Sequence, residues 1–573
     1  MIFAKLWATR TRWIAKGLTL LKTLGPYAVV ELVLPGGTLL ALLLWFYWHR
    51  RRVRRSAVVA DRPANGFGGR GVSRLPWVFA SSLAAALVTG CTVGPNFVRP
   101  EAPATAYSHS VPGAARSQSF TYGGVVAGDW YQLFRSPALD RLVREALANN
   151  PDLAGARHGL AAAQDELRAV SGTALPQINA SGEIGRGHIN GSELYEPVNA
   201  FDVTGNQYAI GPSLAYNLDL VGGVRRSIES QRAQTAAVGD QLRDTYVTLV
   251  DQVVITAFDY AAVREQIRVT RSLVSELQAQ YDLTVQLENA GKVIHSDTLQ
   301  AQTQLENVRA TLPDLEEQRD AYRDALARLS GQTPDEFRMP ALTLADFSLP
   351  GQLPVSLPSA LVQQRPDVLA AEESLHAASA EIGVAVAERL PQLSLSAAYS
   401  QQATALNQLF TQPGGVWSAG LGLAAPLFHG GTLKAREDEA KQRYAQALSA
   451  YQSTVIGAFV DVADSLQALQ HNADSYAAHN SALAAARANE ELAVAEYRAG
   501  KYTELQVLTS EQQYQSAALS EVQADAQRFT DTAALFRALG GGWWNVRDRV
   551  PLTAANASNP NRNNSTPSGS SHD

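Results

Sequence analysis

The sequence predicts a mainly α-helical, internally duplicated protein in which each chain contributes four β-strands to a transmembrane β-barrel. Three features of the 573 residues lead to this prediction: a long internal repeat, four segments of alternating apolar and small or polar residues, and two helical stretches of 67 residues without proline. A long repeat dictates the architecture, and the period of the apolar residues distinguishes strands from helices.

Charge divides the chain at about residue 90. Residues 1–90 carry 13 of the 48 basic residues but only two of the 54 acidic ones. The remainder therefore has a net charge of −17, although the whole chain has −6. Because nucleic-acid binding needs a positive field around the phosphates, this acidic body disfavours nucleic acid as a partner.

Two apolar segments lie near the start of the chain. Residues 26–48 are long enough to span a bilayer, which takes about 20 residues, and the basic run that follows them would stay in the cytoplasm. Residues 76–90 are shorter, follow Arg70 and Arg74, and end in small residues before Cys91, the one cysteine of the sequence. This order of basic, apolar and small residues is typical of a signal peptide.

The five residues that end at Cys91 also match the bacterial lipobox. We therefore expect Cys91 to be the mature N-terminus and to carry a diacylglycerol and an N-acyl chain, with no other cofactor. The alternative is a buried core thiol, since free cysteines are often buried. We predict that residues 72–90 are the signal peptide, with translation starting near Val72, and that residues 1–71 are a non-native extension or a fused small membrane protein.

The body of the chain contains one unit used twice. Residues 149–184 match residues 364–399 at an offset of 215, and farther along Gly291 matches Gly500 at an offset of 209. Each unit is predicted to hold a helix, two strands, a long helix and a helix. The predicted boundaries are 91–332 for the first unit, 333–358 for a proline-rich linker, 359–544 for the second unit and 545–573 for a disordered tail.

Each unit contains two segments with the period of two that is typical of strands with unlike faces. In residues 208–219 the even positions are mostly large and apolar, whereas the odd positions, which include Asp219, are small or polar. Residues 393–400 and 417–423 alternate in the same way, and the alternation at 178–187 is weaker. Such strands suit a transmembrane barrel, and the alternative is a soluble antiparallel sheet. Four strands cannot close a barrel and an open edge cannot lie in lipid, so several copies would have to pool their strands.

Residues 224–290 and 433–499 are each predicted to form one long helix, because they contain no proline and one glycine each. A helix of 67 residues extends about 100 Å, which is several times the thickness of a bilayer. We therefore expect these helices to project from the membrane, where the copies would pool them into a tube.

Five motifs occur in order along residues 91–544. They are Cys91 to Pro100, Trp130 to Leu139, the paired Asn-Pro-Asp and Arg-Pro-Asp repeats, Ala425 to Phe428, and Gly540 to Trp544. Together they resemble the outer-membrane efflux lipoproteins of the TolC and OprM type, NodT branch. The resemblance implies a homotrimer with a twelve-stranded barrel in the outer membrane and a long periplasmic α-helical barrel.

The same resemblance implies a passive exit duct for small toxic compounds or drugs. Members of this family dock to a periplasmic membrane-fusion adaptor that is coupled to an inner-membrane pump, commonly of the resistance-nodulation-division class. The expected location is the outer membrane, with a lipid anchor and a periplasmic extension.

The resemblance also implies a gate where the helical hairpins turn. In the second hairpin the turn lies near Gly500 and is followed by Lys501, and Leu505 matches the apolar ring residue of the family. Thr509 stands where many members have an aspartate, and Glu511 is nearby.

In the first hairpin the turn lies near Gly291, and Asp297 keeps the usual acidic position after it. A charge on a helix is more often part of a solvated face than of a gate. These gate candidates therefore depend on the resemblance.

No catalytic constellation is found in the sequence. The ten histidines are scattered, and there is no HExxH motif, no CxxC pair and no phosphate-binding glycine loop. We therefore expect a protein that is not an enzyme and has no metal site. Two other functions stay open: a coiled-coil structural lipoprotein, which would not need four alternating strands, and a protein-secretion duct of the same fold. We also predict a weak cation preference from the acidic body and Asp219.

Overall fold

A computed structural model of the chain describes residues 92–101, 114–115, 118–190, 202–356, 358–411 and 413–545. The predictions for Cys91, for both N-terminal apolar segments and for the tail beyond residue 545 fall outside the described residues. The described chain divides into a sheet unit, with residues 92–93, 180–222 and 390–425, and a helical unit, with residues 94–179, 223–389 and the part that follows 425.

The first half of the described chain begins with two short strands and then alternates helices with two long strands. Its elements are β1 Ala114–Ala115, β2 Gln118–Tyr122, α1 Pro137–Asn149, α2 Pro151–Gly172, β3 Gln177–Asn190, β4 Asp202–Leu218, α3 Gly223–Asn289, α4 His295–Arg309 and α5 Thr311–Leu329. A 3-10 helix, Trp130–Phe134, precedes α1.

The second half follows the same order after a connecting strand. Its elements are β5 Gln352–Val355, α6 Pro358–Gln364, α7 Pro366–Ala387, β6 Gln392–Ala403, β7 Gly415–Ala424, α8 Thr432–Arg498 and α9 Glu504–Ala538. Three further 3-10 helices are short: Leu344–Asp346, Leu406–Gln408 and Trp543–Asn545.

The two long helices lie within one residue of their predicted positions, and each has 67 residues. The helix that follows α3 is divided at Ala310, whereas its counterpart α9 is one helix of 35 residues. Pro313 lies in the first turn of α5, where its missing N–H costs no helical hydrogen bond, and it would break a continuous helix. By length and composition α3 could cross a membrane, but 72% of its apolar window is buried inside the protein, as in a core helix.

The core of the helical unit is built around a cluster of aromatic rings. Phe258 of α3 packs edge-to-face on Phe134 and on Phe347, with ring centroids 4.9 Å apart in both pairs. Phe529 of α9 lies 5.4 Å from Phe258, and the fully buried Phe536 stacks on Trp130. The predicted linker therefore enters the core at Phe347, and its strand β5 pairs in parallel with β2.

Equivalent positions of the two halves make the same contacts. Asn150 Nδ2 donates to the Leu329 carbonyl at 2.9 Å, and Arg365 Nη1 donates to the Ala538 carbonyl at 3.2 Å. Both residues precede a helix-starting proline, and both acceptors lie at the end of the last helix of their half. The donors are related by the offset of 215 and the acceptors by the offset of 209 that the sequence predicts.

The four long strands form one sheet in the order β3-β4-β6-β7, in which β4 pairs antiparallel with β6 and β6 with β7. The register places Tyr216 beside Leu395, and Leu395 beside Leu421. Because side chains alternate between the faces of a sheet, the large apolar residues of these three strands share one face. The other face carries Ala209, Ser213, Ala215, Asn217, Ser394, Ser396, Ser400, Ser418, Gly420 and Gly422.

This arrangement confirms the predicted alternation on β4, β6 and β7, and the weakest predicted strand is observed as β3. Asp219 is the first residue after β4 rather than part of the strand. Within the described part of a single chain, β3 and β7 are the two outer strands of the sheet.

Candidate functional site: the helical hairpin turns

The turn between α3 and α4 has a left-handed glycine. Gly291 has φ +69°, its N–H donates to the Glu288 carbonyl at 2.8 Å, and the N–H of Lys292 donates to the Leu287 carbonyl at 2.9 Å. This is the usual way in which a helix end satisfies its last carbonyls, and a side chain at residue 291 would strain it.

The turn between α8 and α9 is built in the same way. Gly500 has φ +72°, and its N–H donates to the Tyr497 carbonyl at 2.9 Å. The N–H of Lys501 donates to the Glu496 carbonyl at 2.9 Å, and Lys501 Nζ lies 2.9 Å from Glu496 Oε2. Lys501 is mostly exposed, so this ion pair contributes little to stability.

Asp297 and Gln506 occupy the third position of the helix that follows each turn. Asp297 Oδ2 accepts a hydrogen bond from the N–H of Ile294 at 3.4 Å, and Gln506 Oε1 accepts one from the N–H of Thr503 at 2.8 Å. Both side chains therefore satisfy a free N–H at a helix start, and the carboxylate of Asp297 also interacts favourably with the helix dipole. Asp297 thus has a capping role in the chain itself.

Leu505 and Thr509 lie one turn apart on α9, and both line a cleft of about 360 Å³ between α4 and α9. Thr509 Oγ1 donates to the Leu505 carbonyl at 2.7 Å, so the hydroxyl of Thr509 is engaged with its own helix. Leu505 is 63% exposed. The other residues that line the cleft are Ser296, Leu299, Gln300, Thr303, Gln304, Leu508 and Gln512. The structure thus brings Leu505 and Thr509 together on an accessible surface beside the turns.

Glu511 lies apart from this cleft, in a cluster of four carboxyl groups from three helices. Burial, which is the largest cause, and the nearby charges of Glu490, Glu276 and Glu504 together raise the pKa of Glu511 to about 8. Glu511 Oε2 is shielded from solvent and has no hydrogen-bond partner among the described residues. Glu511 is therefore mostly neutral at pH 7, which an exposed glutamate would not be.

Glu504 is the most buried member of this cluster. Its Oε1 accepts a hydrogen bond from Thr284 Oγ1 at 2.8 Å, whereas its Oε2 has no partner in the described part of the chain. Burial raises the pKa of Glu504, the hydrogen bond from Thr284 lowers it, and the charge of Asp297 raises it. Sequence reasoning did not single out Glu276 or Glu490, because α3 and α8 bring them to Glu511 only in the folded protein. The spacing of seven between Glu504 and Glu511 was the available signal for a shared helix face.

The sequence model of the family described as outer membrane efflux protein matches residues 142–332 and 357–541. The chain is 29% identical over 472 residues to the probable efflux pump outer membrane protein TtgC of Pseudomonas putida. The matched region covers 81% of this chain and 95% of TtgC. It is 28% identical over 466 residues to the probable outer membrane lipoprotein SilC of Salmonella typhimurium, with 80% of this chain and 97% of SilC covered.

Among solved structures, the fold is similar to that of the outer-membrane channel OprN. The TM-score is 0.72 and the sequence identity 27%, and the match covers 79% of this chain and 100% of that one. The two matched segments of the family model correspond to the two halves that share one order of elements.

Proposed function

This chain belongs to the outer membrane efflux protein family and is an outer-membrane channel of an efflux system, and we propose that it works as the passive exit duct of a tripartite pump. In this proposal a periplasmic membrane-fusion adaptor and an inner-membrane pump of the resistance-nodulation-division class deliver small toxic compounds or drugs to it. The duct itself makes or breaks no bonds, so selection of the cargo rests with the pump.

The observation that carries the proposal is the four-stranded sheet with one apolar face. Every residue of β7 is exposed in the single chain, and Trp417 and Leu421 are 74% and 63% exposed. Their face suits lipid, and the face of serines and glycines suits a water-filled lumen. An outer strand cannot lie in lipid with unpaired N–H and C=O groups, so the sheet requires neighbouring copies. Three copies would supply twelve strands, in line with the resemblance.

The long helices support assembly by a second, independent feature. In α3, 25 of the 67 residues are buried, whereas in α8 only 10 of the 67 are. Ile456 and Val460, one turn apart on α8, are both exposed in the single chain. We propose that this face of α8 packs on a neighbouring copy and that the pooled helices form the periplasmic tube.

We also propose that the chain is a duplicated unit with the predicted boundaries at 91–332 and 359–544. The paired contacts of Asn150 and Arg365, at the two offsets of the repeat, support this origin.

The proposed lipid anchor at Cys91 is supported by its sequence neighbour. The N–H of Val93 donates to the Val221 carbonyl at 3.0 Å, and Thr92 packs so closely on Gly222 that a Cβ there would lie 2.7 Å from Thr92 Cγ2. The residue after Cys91 is thus held beside the end of β4. A diacylglycerol and an N-acyl chain on Cys91 would enter the outer membrane next to the barrel strands.

We propose that the gate lies at the hairpin turns and is formed by the residues that the sequence predicts. Leu505 and Thr509 line the accessible cleft beside the turns, and Asp297 caps the helix that follows the first turn. Lys501 lies in the second turn beside Glu496, and Glu511 belongs to the acidic cluster. Opening would separate the helices at the hairpin turns, as a hinge or shear movement that the assembled pump favours.

The duct proposal is tested on the purified, lipid-extracted protein. We expect an oligomer that migrates differently on gels before and after heating and that gives stepwise ion conductance in planar membranes. A monomeric, water-soluble protein without conductance would contradict the proposal. A susceptibility panel on a strain without this protein, covering drugs, dyes, metals and organic acids, would then identify the cargo class and distinguish small-molecule export from protein secretion.

A further inference from the structure

The helical unit contains an acidic cleft of about 430 Å³ that the proposed duct function does not use. It lies where α3, α8 and the end of α9 meet the start of α7. Its charged residues are five aspartates and two arginines: Asp244, Asp251, Asp367, Asp461, Asp464, Arg365 and Arg537. The cleft therefore has an excess of three negative charges.

The guanidinium group of Arg365 is engaged in contacts within the chain. It pairs with Asp367 at 2.7 Å and with Asp461 at 2.9 Å, and it also donates to the Ala538 carbonyl at 3.2 Å. It therefore ties α7, α8 and α9 together and neutralises two of the five aspartates only in part. Arg537 is left to balance Asp244, Asp251 and Asp464.

Asp251 is the deepest carboxylate of the cleft and is only 1% exposed. Its Oδ2 lies 3.5 Å from Arg537 Nη1, which is longer than a good charge-assisted hydrogen bond, and the side chain of Arg537 is 55% exposed. Its Oδ1 is buried and has no hydrogen-bond partner among the described residues. A buried carboxylate oxygen without a donor is costly, so a donor from outside the chain would stabilise it.

Two properties of the cleft indicate which kind of external donor could bond to Asp251. Among the described residues there is no group of three or more His, Cys, Asp or Glu side chains arranged to hold a metal ion. The volume is also many times the roughly 30 Å³ of one water molecule. An organic cation with several N–H donors fits both facts, because it can bond to Asp251 and to a second carboxylate at a distance. We propose that this cleft binds the ammonium or guanidinium group of a small organic cation, with Asp251 as the deep ligand and Asp244 and Asp464 at its mouth.

The proposal gives binding a defined pH dependence. Burial raises the pKa of Asp251 to about 6, despite the opposing effect of the Arg537 charge. A cation binds the ionised form, so its affinity should fall about tenfold per pH unit below that pKa and level off above pH 7. Binding near pH 6 should also release a proton. The other charged groups that line the cleft with Asp251 are Asp244, Asp367, Asp461, Asp464, Arg365 and Arg537. Burial and the charge of Asp367 raise the pKa of Asp244.

The test uses the full chain, purified as the oligomer in detergent, with 1,4-diaminobutane as the probe in titration calorimetry. We expect saturable binding of the diamine at pH 7.5 and at least tenfold weaker binding at pH 5. The neutral analogue 1,4-butanediol should not bind. Asp251→Asn keeps the shape of the side chain and should weaken binding at least tenfold. Asp282→Asn, on the same helix but outside the cleft, should bind as the unaltered protein does.

A second variant controls for the case in which the buried substitution Asp251→Asn misfolds the protein. Asp464 is exposed in the single chain and lies one turn beyond Val460, on the face of α8 that is proposed to meet a neighbouring copy. The oligomeric state of Asp464→Asn is therefore measured beside its diamine binding, which should weaken severalfold. Three results would overturn the proposal, and the first two are no binding of the diamine by the unaltered oligomer and equal binding by all three variants. Loss of the oligomer in Asp251→Asn, with unchanged diamine binding in Asp464→Asn, would show that a neighbouring copy fills the cleft instead. This inference does not depend on the channel conducting any particular cargo.

Discussion

Thr284 Oγ1 donates a hydrogen bond to Glu504 Oε1 at 2.8 Å and thereby joins the C-terminal part of α3 to the first residue of α9. Glu511 lies two helical turns farther along α9, and its carboxyl also faces the charges of α3 and α8 through Glu276 and Glu490. The packing of these helices beside the hairpin turns therefore includes carboxyl groups that are more stable when protonated.

We predict that this packing weakens as the pH rises. Burial raises the pKa of Glu511 to about 8 in the folded chain, so its stabilising contribution is fully present below pH 4.5, declines above that pH and is lost by about pH 8. The slope for one proton is about 1.4 kcal/mol per pH unit. Thermal unfolding followed by circular dichroism should show a lower midpoint at pH 8 than at pH 5.

Glu511→Gln removes the titration and keeps a neutral side chain of similar shape, so the midpoint should depend less on pH. Glu439→Gln, at an exposed position of α8, serves as the control and should keep the full dependence. Equal pH profiles for the unaltered protein and Glu511→Gln would contradict the assignment.

Leu505 gives a separate prediction about the gate. If the copies bring this exposed side chain together into an apolar ring, Leu505→Ala should widen the closed pore and raise its conductance severalfold. Single-channel recordings in planar membranes would measure this. The matched control is Leu492→Ala, which removes an exposed leucine of α8 away from the cleft. An unchanged closed-state conductance in Leu505→Ala would remove Leu505 from the gate.

The register of β6 and β7 predicts opposite effects for two residues three positions apart. Leu421 lies on the apolar face, and Ser418 lies on the small and polar face. An arginine on a lipid face costs about 2–4 kcal/mol at the middle of the membrane, whereas one on a lumen face is solvated. Leu421→Arg should therefore reduce the heat-modifiable oligomer in outer-membrane fractions, and Ser418→Arg should not. A normal oligomer in Leu421→Arg would mean that this face does not meet lipid.

The elements that local patterns determine were largely predictable. The period of two on β4, β6 and β7 and the absence of proline from α3 and α8 depend on neighbouring residues. The two helices are found within one residue of their predicted bounds, whereas β4 begins at Asp202, before its predicted start at Tyr208, and β6 continues to Ala403, beyond its predicted end at Ser400. The acidic cluster around Glu511 and the cleft at Asp251 were not predictable. They depend on how helices far apart in the sequence are placed against each other, and no local pattern encodes that register.

Cys91 is predicted to be the lipid anchor, and the prediction concerns covalent chemistry. Labelled palmitate should be incorporated into the unaltered protein and not into Cys91→Ser, because the sequence has no other cysteine to acylate. Mass spectrometry should give a mature chain that begins at residue 91 and carries a diacylglycerol and an N-acyl chain. A stable product that retains residues 26–55 would refute the predicted translation start near Val72.

Ion selectivity tests which face of the sheet lines the lumen. The body of the chain carries a net charge of −17, and the small and polar face is uncharged at the serine positions of β6 and β7, so we expect a weak preference for cations. Ser418→Lys would place one positive charge per copy on that face and should shift the preference towards anions, whereas Ser418→Asp should strengthen the cation preference. Reversal potentials in a salt gradient measure both changes. An anion preference of the unaltered channel would contradict the predicted cation preference. If the two substitutions leave the reversal potential unchanged, the small and polar face of β7 does not line the conducting path.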